Sequence, residues 1–157
     1  MNLNPVSSVR VEHNIVKVTV LGAPDRPGIA AQLFSSLARE GINVGAISQT
    51  SSFRDGFIDI SFTIGETKLE SAVDVCRVAA IKLGADEVEF NPEVARITVS
   101  GTDIAQESGV AATVFGAFAD LGANIEMIAT TDSSVSCIVR ETNADKVAER
   151  LRQKFDL

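Results

Sequence analysis

The sequence contains no tryptophan and no tyrosine, and its only aromatic residues are eight phenylalanines in 157 positions. The ring platforms on which single-stranded nucleic acids stack are therefore scarce. Only two cysteines occur, Cys76 and Cys137, far apart and each inside an apolar pattern. That is neither a disulfide framework nor a zinc spacing, and both read as small buried hydrophobes. A single histidine, His13, has no cysteine or carboxylate cluster around it in sequence and reads as incidental. No Ser-His-Asp set, phosphate-binding P-loop or His-rich motif is present, so no catalytic residue, metal site or cofactor is expected. Positive charge is also short, with 14 Lys+Arg against 21 Asp+Glu, a net charge of −7 and a pI of about 4.7. An acidic chain is a poor partner for nucleic acid or an anionic membrane. No run of 18 apolar residues exists, and Met1-Asn2-Leu3-Asn4-Pro5 does not resemble a signal peptide, so a cytoplasmic location is expected.

What is present is a hydrophobic fraction of 45% with 22% charged residues, the composition of a folded chain. It is also a duplication. At a constant offset of 81, residues 28–50 overlie residues 109–131. Identical pairs include Gly28/Gly109, Ala30/Ala111, Ala31/Ala112, Phe34/Phe115, Ala38/Ala119, Gly41/Gly122, Asn43/Asn124, Ile47/Ile128 and Thr50/Thr131. A period this long describes two copies of a domain rather than a solenoid unit.

Each copy has the same predicted elements. Val16, Val18 and Val20 alternate with Lys17 and Thr19, which predicts a half-buried strand. Ile29, Leu33, Phe34 and Leu37 form the stripe of a helix, with Pro27 suited to its first position and Gly41 to the residue after its end. Strands follow over Asn43–Thr50 and around Ile58–Ile64, joined by an Asp55-Gly56 turn. A second helix carries Leu69, Val73, Cys76, Ala80 and Leu83 and stops at Gly84; Val88 and Phe90 begin a closing strand. The order βαββαβ is the ferredoxin-like arrangement. The second copy runs through a strand over Ala95–Val99, a helix over Gly109–Leu121, strands over Asn124–Thr131 and Val135–Val139 and a last helix with Val147, Leu151 and Phe155, and lacks its closing strand. The segment Val6–Glu12, with Val9 and Val11 alternating with Arg10 and Glu12, is a strand the first copy does not need. The expectation is an α+β protein of two βαββαβ domains, one inserted in the other: residues 14–92, and residues 5–13 with 93–157. The alternative is a three-stranded second sheet with a loose N-terminal tail.

The most informative loop is Gly22-Ala23-Pro24-Asp25-Arg26-Pro27-Gly28-Ile29-Ala30. It offers N–H groups at a helix start, suited to a carboxylate, beside Asp25, suited to an ammonium. Together these are what a free amino acid requires. The residues leave a second reading open, in which Asp25 caps the helix and the prolines shape a turn.

The arrangement of strand, Asp-x-Pro-Gly, helix and Gly-x-Asn-Ile/Val resembles the ACT domain, the amino-acid-sensing module of metabolic enzymes. The tandem pair resembles the regulatory region of aspartate kinase. The residues that carry this are Pro24–Gly28, Gly41–Val44, Ile47–Gln49 and Asp59–Thr63, with Gly122–Thr130 in the second copy. The resemblance implies a non-catalytic regulatory part that binds a feedback amino acid, usually threonine, where two ACT domains meet. It implies control of lysine, threonine and methionine biosynthesis, a catalytic aspartate kinase subunit or domain as partner, and a homodimer formed through ACT domains. Carried over, the backbone of Gly28, Ile29 and Ala30 takes the effector carboxylate, Asp25 and Gln49 its polar groups, and Asn124 and Ile125 close the pocket. A second site implied by pseudo-symmetry would use Ser108, Gly109 and Val110 with Asn43 and Val44. There the loop reads Gln106-Glu107-Ser108-Gly109 without proline, and Gly45 replaces an acidic residue suited to the second ammonium of lysine. Lysine is therefore less expected than threonine. Nothing resembles the kinase half, so the chain is either a separate regulatory subunit or part of a longer enzyme. A free-standing sensor acting on another partner is the alternative function. Acyl-phosphate hydrolases of the same topology need an arginine in a glycine-rich phosphate loop, for which Arg26 is a poor fit. An RNA-binding module would need strand aromatics on a basic face, which an acidic chain with Phe62 and Phe90 on apolar faces does not supply.

Overall fold

A computed structural model describes residues 5–157. The elements are β1 (Val6–Pro24), α1 (Ile29–Arg39), β2 (Gly45–Ser51), β3 (Phe57–Gly65), α2 (Leu69–Leu83), β4 (Glu87–Gly101), α3 (Ser108–Asp120), β5 (Ile125–Thr131), β6 (Ser134–Arg140) and α4 (Glu141–Lys154). Short 3-10 turns at Glu66–Lys68 and Ile104–Gln106 precede α2 and α3. Hydrogen-bonded strand neighbours follow the order β2-β3-β1-β4-β6-β5.

The chain divides into two compact units, Asn14–Pro92 and the described residues up to His13 together with Glu93–Leu157. In the first, β1 pairs antiparallel with β3 (Val18 opposite Phe62), and β3 pairs antiparallel with β2. The Asp86 N–H donates to the Leu21 carbonyl at 2.8 Å where β4 approaches the other edge of β1. One face of this sheet supplies Val16, Val18, Val20, Ile58, Ile60, Phe62 and Ile64 to a core closed by Ile29, Leu33 and Leu37 of α1 and Ala72, Cys76 and Leu83 of α2. The Phe34 ring packs edge-on against Phe62 with centroids 5.3 Å apart. α2 stops at Gly84, whose φ of 78° is left-handed backbone that glycine adopts without steric cost.

The other unit repeats the pattern with the chain in two pieces. β4 pairs antiparallel with β6 (Ile97 opposite Cys137), and β6 with β5. The first half of β1 takes the closing place beside β4. Ser7 Oγ donates to the Ser100 carbonyl at 3.2 Å, and Arg96 meets Glu12 at 3.4 Å. Gly101 is required by this approach, since a Cβ there would run into the Pro5 carbonyl. Val6 and Val9 enter a core with Ile97, Val99, Val114, Phe118, Cys137, Val147 and Leu151. His13 lies between two carboxylates of α4, 3.3 Å from Glu141 and 3.2 Å from Asp145. Lys154 at 3.1 Å and Arg150 at 3.3 Å hold the exposed Asp120 below the usual carboxylate range, Lys154 being the larger influence.

Three local expectations are corrected. Pro27 is not the first helical residue, because Gly28 takes a left-handed φ of 94° and α1 starts after it. β2 begins at Gly45 rather than Asn43, since Ala46 has a φ of 49° and the register with β3 shifts between Gly45 and Ser48. α3 starts at Ser108, one residue before the expected Gly109.

Both thiols are buried, which raises the Cys76 pKa to about 11 and the Cys137 pKa to about 12. A thiol that stays protonated when folded but ionises near pH 9 when unfolded favours the unfolded chain as pH rises above 9. Stability should therefore fall above that pH by about 1.4 kcal/mol per unit for each thiol until its folded pKa is reached. Urea midpoints of the wild type and of Cys76→Ala and Cys137→Ala between about pH 8 and 10.5 measure this, and the variants should show a shallower slope. Gly101→Ala should cost about 1–3 kcal/mol by the same urea assay, because the Pro5 backbone must move.

Candidate functional site

The first β–α connection is built from restraints in both of its flanks. Pro24 closes β1, and the Asp25 N–H donates to the Gly56 carbonyl at 2.9 Å. That bond ties the loop to the β2–β3 turn. The Arg26 N–H turns back to the Pro24 carbonyl at 3.1 Å, and the Gln32 N–H reaches the Gly28 carbonyl at 2.9 Å as α1 begins. At Gly28 a Cβ would meet nothing within 4 Å. Glycine is needed there for its φ of 94°, and the space above it stays open.

No side chain caps α1. Asp25 therefore does not cap the helix, which removes the capping part of the second reading, while the turn at Pro24 is present. The exposed Asp25 carboxylate stands beside a helix start whose first-turn N–H groups have no acceptor within the helix. Of the three amides expected to face a ligand, that of Ile29 is directed to the Arg26 carbonyl at 3.4 Å. Those of Gly28 and Ala30, with Ala31 one position on, remain as donors for an anion.

Gln49 comes to the same place from β2. It pairs with Ile60, so its side chain shares the face on which Ile58 and Ile60 are buried and against which α1 packs. The register shift between Gly45 and Ser48 sets this parity, since a strand slipped by one residue presents the opposite side chains. Asp25, Gly28, Ile29, Ala30 and Gln49 thus line one open cavity of about 380 Å³, with Arg26, Pro27, Ala31 and Ile58. Sequence patterns did not point to Ala31 or Ile58 as site residues. Ala31 was visible as a repeat identity with Ala112, whereas Ile58 enters only through its pairing with Ala23 and Ser51 across two strands. A second hollow of about 400 Å³ lies between the outer faces of α1 and α2. Its lining mixes Arg39 and Lys82 with Glu40 and Asp74.

Asn124, exposed, and Ile125, half-buried, enter β5 in the other unit. The equivalent loop of that unit has a different form. Asp103 takes a φ of 54°, a 3-10 turn spans Ile104–Gln106, and Glu107 stands at the start of α3 in extended backbone. At the offset of 81, Ile29 matches Val110, so α3 begins two positions earlier in the repeat than α1. Ser108 and Gly109 are helical, and the N–H of the buried Val110 donates to the Glu107 carbonyl at 3.1 Å. Asn43 and Val44 lie just before β2, the first exposed and the second half-buried.

Comparison with known proteins follows this geometry. The ACT-domain family profile matches residues 18–79 and 97–155. The aspartokinase of Corynebacterium efficiens is 33% identical over 153 residues, covering 97% of this chain and 36% of that protein. That of Helicobacter pylori is 32% identical over 152 residues, covering 97% and 37%. The chain spans little more than a third of the length of these curated relatives. Among solved structures, the ligand-free regulatory subunit of aspartate kinase from Thermus thermophilus superposes with a TM-score of 0.89 at 30% identity, covering 95% of this chain and 97% of that one. The aspartate kinase of Synechocystis superposes at 0.87 with 31% identity, covering 98% of this chain and 27% of that one. Two ACT repeats in the fold of a non-catalytic regulatory subunit, matched almost end to end, show that this chain belongs to the ACT-domain family as a regulatory part of aspartate kinase.

Proposed function

We propose that the cavity at the start of α1 binds a free amino acid, threonine first among them, and that binding controls an aspartate kinase catalytic subunit or domain. The observation that carries this is the uncapped helix start beside an exposed Asp25, with Gln49 lining the same cavity. In this reading the Gly28 and Ala30 amides hold the effector carboxylate, Asp25 its ammonium and Gln49 its hydroxyl. Ile29 and Ile58 meet its methyl group. The resemblance alone adds Asn124 and Ile125 as further contacts. The second loop is a weaker candidate: Ser108 and Gly109 are already helical, and the Val110 amide is engaged by the Glu107 carbonyl. Threonine acts by differential affinity for one state of the regulatory part. A coupling of about 1–3 kcal/mol changes kinase activity several-fold to a hundredfold. The pathway so controlled is the synthesis of lysine, threonine and methionine, and assembly as a homodimer through ACT domains belongs to the same proposal. A crystal structure of aspartokinase alpha and beta subunits contains a chain that superposes on this one with a TM-score of 0.89, which supports a separately made catalytic partner here. A free-standing sensor acting on another enzyme is the alternative, separated by whether a kinase subunit co-purifies with the chain.

Isothermal titration calorimetry with threonine tests the site. Asp25→Ala should weaken binding about 10- to 100-fold, the loss of a charged hydrogen bond, while leaving the fold intact by circular dichroism. Unchanged affinity would remove Asp25 from the site. The two loops give a paired test. Gly28→Ala should destabilise by about 1–2 kcal/mol and weaken threonine binding, because alanine disfavours the left-handed backbone. Gly109→Ala, inside α3, should instead stabilise by up to about 1 kcal/mol and leave binding unchanged.

A further inference from the structure

We infer that Arg54 is a positioning residue for the effector cavity, acting through the β2–β3 turn without touching the effector. This rests on the reading of Asp25–Ala30 as the effector loop. The turn is closed on itself by the Ser52 N–H donating to the Phe57 carbonyl at 3.0 Å and the Phe57 N–H to the Arg54 carbonyl at 3.3 Å. Those bonds set its shape but do not anchor it to the body of the unit. Pairing of Phe57 with Pro24 holds one strand of the turn, and Arg54 supplies a side-chain anchor to the α2–β4 connection. Its Nη2 donates to both carboxylate oxygens of Asp86, at 2.8 and 2.7 Å. Its guanidinium lies 3.9 Å from the centre of the half-buried Phe57 ring.

Asp86 is itself fixed. It lies between α2 and β4, and its N–H is bonded to the Leu21 carbonyl. Gly22, with a φ of 66°, passes directly beneath its carboxylate, where any Cβ would collide with it. The Gly22 N–H is held in turn by Asp59 Oδ1 at 2.9 Å. On the other side, the turn that Arg54 anchors accepts the Asp25 N–H through Gly56. Its two strands carry Gln49 and Ile58 into the cavity.

One guanidinium thus connects the α2–β4 connection to both walls of the site: the Asp25 loop through Gly56, and Gln49 through β2. An exposed ion pair ordinarily contributes little, but this one is short, reaches both carboxylate oxygens from Nη2 and is backed by the Phe57 ring, which restricts the guanidinium. Loosening it lets the turn and the Asp25 loop leave the binding arrangement. The apparent affinity then falls by the fraction of molecules still in that arrangement. In the sequence Asp55-Gly56 signals the turn, and nothing marks Arg54 beside it.

Hydrogen exchange followed by mass spectrometry, with no effector present, tests the positioning directly. In Arg54→Gln and in Asp86→Asn, the bonded amides of Asp25, Arg26, Ser52 and Phe57 should exchange about two- to tenfold faster, while the core of α2 keeps its protection. Unchanged exchange in both variants overturns the inference, and so does an equal acceleration throughout α2, which would mean a general loss of stability. Threonine calorimetry then reads the consequence. Both variants should bind about two- to fivefold more weakly with an unchanged thermal midpoint. Arg54→Lys should not fully restore affinity, because an ammonium lacks the planar face that lies 3.9 Å from the Phe57 ring centre. Added salt should weaken the wild type towards Arg54→Gln while moving that variant less. A wild type that binds no amino acid refutes the effector reading, whereas the exchange result still decides whether Arg54 holds the loop.

Discussion

Two cores draw on the same two long strands, and the rest of the structure depends on how those strands change allegiance. In β1, Val9 and Val11 at odd positions face one core, and Val16, Val18 and Val20 at even positions face the other. The change is made around Asn14, whose φ of 63° interrupts the regular alternation of an extended strand. Asparagine tolerates the left-handed region better than most residues, so the cost of the interruption is small. β4 makes a similar exchange, with Val88 and Phe90 packed against one core and Ala95, Ile97 and Val99 buried in the other. The Asn14–Pro92 unit closes its sheet with its own last strand, whereas the second copy closes a four-stranded sheet only by taking the first part of β1.

Within the Asn14–Pro92 unit, the core holds α1 against the sheet and so fixes where its first turn points. Ile29, the first helical residue, is buried, while Asp25–Gly28 immediately before it are exposed. A helix start left without a side-chain cap costs stability unless something else supplies an acceptor. Here the chain leaves that position open and places a carboxylate beside it. The other unit lacks this arrangement, since α3 begins two positions earlier in the repeat, after a 3-10 turn and an extended Glu107. Two copies of one fold have therefore come to offer unequal helix starts, the difference resting on Pro27-Gly28 in one and Ser108-Gly109 in the other.

Much of this was legible in residues alone. The offset of 81 needs only a comparison of residue types along the chain. The alternation of Val16, Val18 and Val20 and the stripe of Ile29, Leu33 and Leu37 depend on near neighbours in sequence, which local periodicity reports well. The resemblance of the Asp25–Gly28 loop to the ACT family pointed to five of the residues that line the cavity. Helix starts were less legible. Pro27 suits a first helical position by its own φ, but the left-handed Gly28 after it breaks the run, and proline chemistry alone does not reveal its neighbour's conformation.

The sequence by itself determined the duplication, the βαββαβ order, the apolar faces and the family, because each is written in spacing and residue type. Only tertiary structure decided that Asp25 is no helix cap, that Ile58 joins the cavity and that Arg54 reaches Asp86. These depend on strand register and on contacts between residues tens of positions apart, such as the 2.7 Å ion pair. Local pattern carries no information about such pairs, since their distance is set by how whole elements pack.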